Sequence, residues 1–252
     1  MRTNSISSLY FKGNEINFSS VKESGFKFME IRCDDILSND NPEETAKIRK
    51  LLDKNSIEVS SVHSFINDVD ISSEDKWTRT KSVRELEKSV AASSRLKSKY
   101  VVAHLSWILN EQSDRGKLLK NSLSSIVEAR DLAEKMNVEI LCENLLPDML
   151  FSREDEAKAV VDSGFSLCFD LGHAVISKID PYEFCRTFKK QIKLVHAHFN
   201  NSVKDTHSFI RNEADKEMLK RVSDILDETV VFVHEIHNEK KLEEIYLEVK
   251  DI

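Results

Sequence analysis

Residues 166–198 read SLCFDLGHAVISKIDPYEFCRTFKKQIKLVHAH, and this stretch decides the fold. It opens with a short apolar run, 166–170, that ends on Asp170, and closes with another, 193–198, that carries His196 and His198. Between them lies a segment of helical periodicity, 181–191. A buried strand spends its length on Val, Ile, Leu and Phe, so a carboxylate or imidazole at its carboxyl end needs a reason.

The same device recurs along the chain. SSVHS carries His63, YVVAHL carries His104, EILCEN carries Glu143 and VVFVHE ends on Glu235. The spacing predicts strands over 5–11, 26–32, 57–63, 100–105, 138–143, 166–170, 193–198 and 230–235. Helical segments are expected at 42–55, 76–96, 114–136, 154–162, 181–191, 212–227 and 240–249. Asn41-Pro42 supplies a cap and a first-turn proline for the first of these. The 114–136 segment has the clearest apolar stripe, including Leu118, Leu119, Ile126, Ala129 and Ala133. Gly25 and Gly164 stand before strands, as helix-stop glycines do.

Eight strands alternating with helices over 252 residues predict an α/β fold, a single (β/α)8 TIM barrel as one domain over 1–252. A doubly wound open sheet is the rival, but no G-x-G-x-x-G or phosphate-binding loop follows any strand. In such a barrel the active site lies at the carboxyl ends of the strands, where these polar residues fall.

Lys+Arg 37 against Asp+Glu 44 gives a net charge of -7, so no general basic field attracts nucleic acid. Cys33, Cys142, Cys168 and Cys185 show no C-x-x-C spacing and read as reduced core residues in a cytoplasmic protein. The amino-terminal stretch lacks a signal-peptide pattern and no apolar run is long enough to span a membrane, so no membrane partner is expected.

Each strand-end residue has a bland reading by itself. Glu143 and Glu235 read alone as rim carboxylates or helix-capping partners, His63 and His104 as hydrogen-bonded structural histidines, and Asp205 and His207 as solvated loop. Asp170 and His173, separated by Leu171-Gly172, suit two neighbouring metal positions, with Gly172 permitting a tight turn. Converging on one rim, these histidines and carboxylates make a shared divalent metal site the better account. His196 and His198 are two apart on a strand and point the same way, so one is expected on the metal and the other lining the pocket. His234 should face the helical layer and His237 the surface.

On these residues the chain resembles the xylose-isomerase-like TIM-barrel superfamily, which holds sugar isomerases, ketose epimerases and three-metal apurinic/apyrimidinic endonucleases. The resemblance runs from about residue 5 to residue 249. It implies metal ligands at His63, His104, Glu143, Asp170, His173, His196, Asp205, His207 and Glu235, the strand-seven motif aligning without a gap on HAHFNNSVKDTH. Phe199 stands where the family usually has Asp, and SFIRNEADKE, after His207, lacks its usual glycine-rich turn. Leu171-Gly172 replaces the small residues usual in the endonucleases, and the strand-seven loop is shorter than theirs. These departures bear against the endonuclease activity more than against the metal site.

The implied cofactor is a divalent metal, zinc or manganese, at one to three ions per chain. Three ions against Glu143, Asp170, Asp205 and Glu235 leave a positive site suited to a phosphate diester; a single ion held by Glu143, Asp170, His196 and Glu235 is left at about -1, which suits a neutral polyol or keto-sugar. The favoured expectation is a metal-dependent isomerase or epimerase of a sugar or sugar phosphate. Glu143 and Glu235 would move the proton through an enediolate, and His198, Trp107 and Asn144 would bind substrate. A multinuclear zinc phosphodiesterase, with DNA as partner, is the alternative, and a non-catalytic binding barrel a second. Specificity is expected in loops 64–76 and 106–115, and oligomeric state is left open.

Overall fold

The computed structural model describes residues 2–36 and 41–252; Met1 and residues 37–40 lie outside the described residues. Eight strands, β1 (Asn4–Ser7), β2 (Phe28–Arg32), β3 (Glu58–His63), β4 (Tyr100–Ala103), β5 (Glu139–Glu143), β6 (Ser166–Asp170), β7 (Ile192–His196) and β8 (Val231–His234), close into a barrel in chain order. Every neighbouring pair is parallel, and β1 pairs with β8. The fold is the (β/α)8 barrel that the alternation predicts.

The helices are α1 (Phe18–Ser24), α2 (Cys33–Ile36), α3 (Pro42–Asn55), α4 (Lys76–Arg95), α5 (Arg115–Lys135), α6 (Glu154–Asp162), α7 (Leu171–Ile176), α8 (Pro181–Thr187), α9 (Glu213–Ile225) and α10 (Leu242–Val249). Side-chain caps start the long ones. Asn41 accepts from the Glu43 amide at 3.0 Å with Pro42 at the first position, Asp75 from Thr78 at 2.7 Å, and Asp114 from Lys117 at 3.0 Å.

Several expected bounds needed correction, among them the strand over 100–105, which ends at Ala103. The strand predicted over 5–11 stops at Ser7, where the chain turns into one 3-10 turn, Ser8–Phe11, still fully buried. An apolar run in a buried turn has the same composition as a strand, and periodicity cannot separate them. The seventh strand ends at His196 rather than 198, and the helix expected over 181–191 ends at Thr187. Helices α1, α2 and α7, each of seven residues or fewer, were not foreseen because they are too short for a repeating stripe.

Side chains alternate along a strand, so residues two apart share a face. The barrel interior is layered on that rule. Val102, Leu141, Cys168, Leu194 and Val233 form a separate buried apolar cluster. Each stands two residues before one of His104, Glu143, Asp170, His196 and Glu235. The apolar cluster is therefore a floor directly beneath the polar rim. On β1 to β3 the same layer is polar: Ser7, Glu30 and Ser61 are all buried, and both serine hydroxyls donate to Glu30. A register shift between Met29 and Glu30 sets Glu30 opposite Ser61. The large core lies outside the barrel, between strands and helices, and all four cysteines are free and buried.

Gly25 ends α1 with φ +106°, and a Cβ there would overlap the ring of Tyr246 on α10. Gly25→Ala therefore combines left-handed strain with overpacking, and should cost about 2–4 kcal/mol. A lower urea midpoint at unchanged m-value is the expected reading; an unchanged midpoint would refute this packing account.

Candidate metal centre

The strand ends bring the predicted residues together in interlocking groups whose ligand atoms lie within 4.8 Å of one another. His63, His104 and Glu143 form the first; Glu143, Asp170, His196 and Glu235 the second; His173, His198, Asp205 and His207 the third. Glu143 Oε2 is 3.3 Å from His63 Nε2 and 3.1 Å from His104 Nε2, while its Oε1 is 3.0 Å from His196 Nδ1. His196 Nδ1 is also 3.2 Å from Glu235 and 3.7 Å from Asp170. Asp205 Oδ2 lies 2.9 Å from His207 Nε2 and 3.3 Å from His173 Nε2. Ligands at about 2.0–2.2 Å from a tetrahedral ion stand roughly 3.3–3.6 Å apart; the contacts here, 2.9–3.7 Å, straddle that spacing, so small shifts of these side chains would admit a divalent metal.

Unsatisfied atoms point the same way. Among the described residues His198 Nδ1 and Asp205 Oδ1 are buried with no hydrogen-bond partner. Leaving such atoms unpaired costs about 1–3 kcal/mol each, which a cation would relieve. Cys168 stands close enough to join Glu143 and His196, but burial holds its thiol well above the ordinary range and it belongs to the apolar floor.

Local structure fixes these candidate ligands. Asp170 caps α7, accepting the His173 amide at 2.6 Å, which turns the chain so that His173 follows onto the rim. His63, His173 and His207 each place Nδ1 against a backbone carbonyl, of Ser64, Asn144 and Glu235, and so present Nε2 to the carboxylates. His207 holds a left-handed φ of 45°, a strain that packing around the site sustains.

The electrostatics are those of crowded carboxylates and imidazoles. Desolvation would lower His173, yet Asp170, Asp205 and Glu143 reverse it and push it up to about 10. Burial works to raise Glu143, but His196 and His104 hold it well below the usual carboxylate range. His104 is lowered, mainly by desolvation.

Two residues expected to bind substrate, Asn144 and His198, are buried. The Asn144 side-chain amide donates to the Asp170 carbonyl at 2.9 Å and its oxygen accepts the Asp170 amide at 2.7 Å. It clamps β5 to β6. His198 is also buried, 3.0 Å from Asp170 and stacked on His207 at 4.1 Å, so it joins the third ligand group instead of lining a pocket. Trp107 does face a cavity of about 210 Å³, 44% exposed at its edge. Arg32, His63, His104, Glu143, His173 and Glu235 line the polar side of that cavity. Ile66, Trp107, Ile108, Leu145, Leu146 and Met149 make the apolar wall. His234 is turned outward as expected, bonded to Asn4 at 3.0 Å and pushed down to about 3 by burial, whereas His237 is half-buried near His207.

Sequence reasoning passed over Arg32 and Glu30. Arg32 ends β2, pairs with Glu235 and lies 3.2 Å from Asp35. Its signal was present, a charge closing the run FKFMEIR, but a cation does not suggest a metal ligand. Glu30 sits in the middle of the same run, where a carboxylate is rare without a partner.

Fold and site together define a parallel eight-stranded barrel bearing a histidine–carboxylate centre at the carboxyl ends of its strands. The chain belongs to the xylose isomerase-like TIM barrel family, which it matches over residues 18–250. Comparison with curated proteins finds no match. Among solved structures it is similar to a D-tagatose 3-epimerase-like protein, at TM-score 0.82 and 23% identity over 100% of this chain and 96% of that one. It is also similar to a putative xylose isomerase from Rhodospirillum rubrum, at 0.85 and 11% over 100% and 99%. An IOLI protein with a bound zinc atom aligns at 0.75 and 18% over 100% and 96%. Among the described residues no helix is long and apolar enough to cross a membrane.

Proposed function

We propose that the protein is a metal-dependent isomerase or epimerase of a keto-sugar or sugar phosphate. The observation that carries this reading is the convergence of Glu143 and Glu235 on one cavity, both within 3.2 Å of His196 Nδ1. A divalent ion held by Glu143, Asp170, His196 and Glu235 would supply Lewis acidity toward a ketone and its neighbouring hydroxyl. One carboxylate then takes the proton from the carbon beside the carbonyl, and the other returns it. Arg32 orients Glu235, while the apolar wall around Trp107 excludes water. The cavity of about 210 Å³ has room for a monosaccharide. The likeness to the D-tagatose 3-epimerase-like protein supports the substrate class, and the zinc-bearing IOLI structure supports the metal.

The imidazole-rich first and third groups favour zinc, and the second, with three carboxylates, accepts manganese. A second reading, a multinuclear phosphodiesterase, is favoured by one observation: the ligands form three groups rather than one. Incubation of the metal-loaded protein with a ketose panel in deuterated water separates the two. Deuterium should enter a carbon-bound position of at least one sugar. If no sugar exchanges while an abasic duplex is cut, the hydrolase reading replaces the isomerase.

A further inference from the structure

His196 is held differently from its neighbours. His63, His173 and His207 turn Nδ1 to backbone carbonyls and Nε2 to the site. His196 is reversed: Nδ1 faces Glu143, Asp170 and Glu235, and Nε2 lies 3.0 Å from Glu30 Oε2. Glu30 is 0% exposed, and each of its oxygens is anchored, Oε1 by the Ser7 hydroxyl at 3.2 Å and Oε2 by the Ser61 hydroxyl at 2.8 Å. The polar patch in the otherwise apolar floor is thus built around one carboxylate aimed at the back of one imidazole.

We infer that Glu30 is the positioning residue of the metal centre: it accepts the Nε2 proton of His196 and leaves the Nδ1 lone pair directed at the other ligands. This rests on the reading of His196 as a metal ligand. A carboxylate partner fixes the tautomer and raises the basicity of the imidazole, which a carbonyl does more weakly. No backbone carbonyl can take that place, because His196 Nε2 points across the barrel interior to β2 rather than toward a loop. The register shift at Met29/Glu30 is what brings Glu30 level with Ser61, so the strand irregularity and the hydrogen bonds serve one arrangement.

Glu30→Gln keeps the volume and removes the charge. Zinc competition against a chromogenic chelator, on the full chain, should show about 10–100-fold weaker binding in this variant. Ser61→Ala, which loosens Glu30 without touching His196, should lose less. A role in packing alone would change the melting of the metal-free protein but not its zinc affinity. The second readout is the imidazole nitrogen NMR spectrum of the zinc-loaded wild type, in which His196 should carry its proton on Nε2. Unchanged zinc affinity in a folded Glu30→Gln, or a His196 proton on Nδ1, overturns the inference. Should Glu30→Gln fail to fold, the wild-type spectrum decides. Should the wild type hold neither zinc nor manganese, the metal reading falls first and this inference with it.

Discussion

Replacing Glu143 by glutamine should empty the centre. Glu143 contributes to both the group with His63 and His104 and the group with Asp170, His196 and Glu235, so one substitution removes a charge from each. It is 1% exposed, and no water can take over its role without rearrangement. An amide ligates poorly and brings no charge, so the loss should exceed the roughly 10–100-fold typical of an outer partner and approach 10³-fold in metal affinity. Turnover should fall at least as far, because the same carboxylate is the proposed acid or base. Metal content after dialysis, with ketose turnover measured in parallel, is the check. A variant that keeps both would remove Glu143 from the site.

The second large effect should come from a single methyl group. Gly172 lies in the first turn of α7, and a Cβ built there would overlap the imidazole of His198. That ring cannot retreat cheaply: it is 0% exposed, 3.0 Å from Asp170 and stacked on His207. The Gly172 carbonyl also receives the Asn200 amide at 2.8 Å, so the backbone cannot shift alone. Gly172→Ala should therefore displace His198 and, through it, Asp170. Overpacking should cost about 1–3 kcal/mol. A misplacement near 1 Å at the centre should cost about 100-fold in kcat/KM. Thermal melts and kinetics on the same preparation test both; a variant matching wild type in each would show that the ring has more freedom than its contacts allow.

Gly172 also shows what the sequence can and cannot say. Its position between Asp170 and His173 read as a tight turn, yet φ there is not left-handed. The glycine is needed for space, and the space is occupied by a histidine 26 positions away in sequence. The barrel itself was legible because alternation of strand and helix is a local pattern, repeated until only one closed arrangement accommodates it. The rim residues were legible for the same reason, each being a polar exception inside an apolar run. The contacts that bury Asn144 and His198 were not legible, because the difference between facing a cavity and bonding a neighbouring strand lies in tertiary contacts. Glu30 escaped notice because its partner, His196, lies on the far side of the barrel. Arg32 was visible as a strand-end charge, but its pairing with Glu235 could not be read from β2 alone.

The apolar floor of Val102, Leu141, Cys168, Leu194 and Val233 makes the centre a well with one mouth. Whatever enters must leave the way it came, past Arg32 and Trp107. On the proposed function loading would be a queue: an ion held by Glu143, Asp170, His196 and Glu235 would go in first, and a sugar seated above it would act as a stopper. A chelator would then have to wait for that stopper to lift, and an occupied site would guard its ion simply by being full.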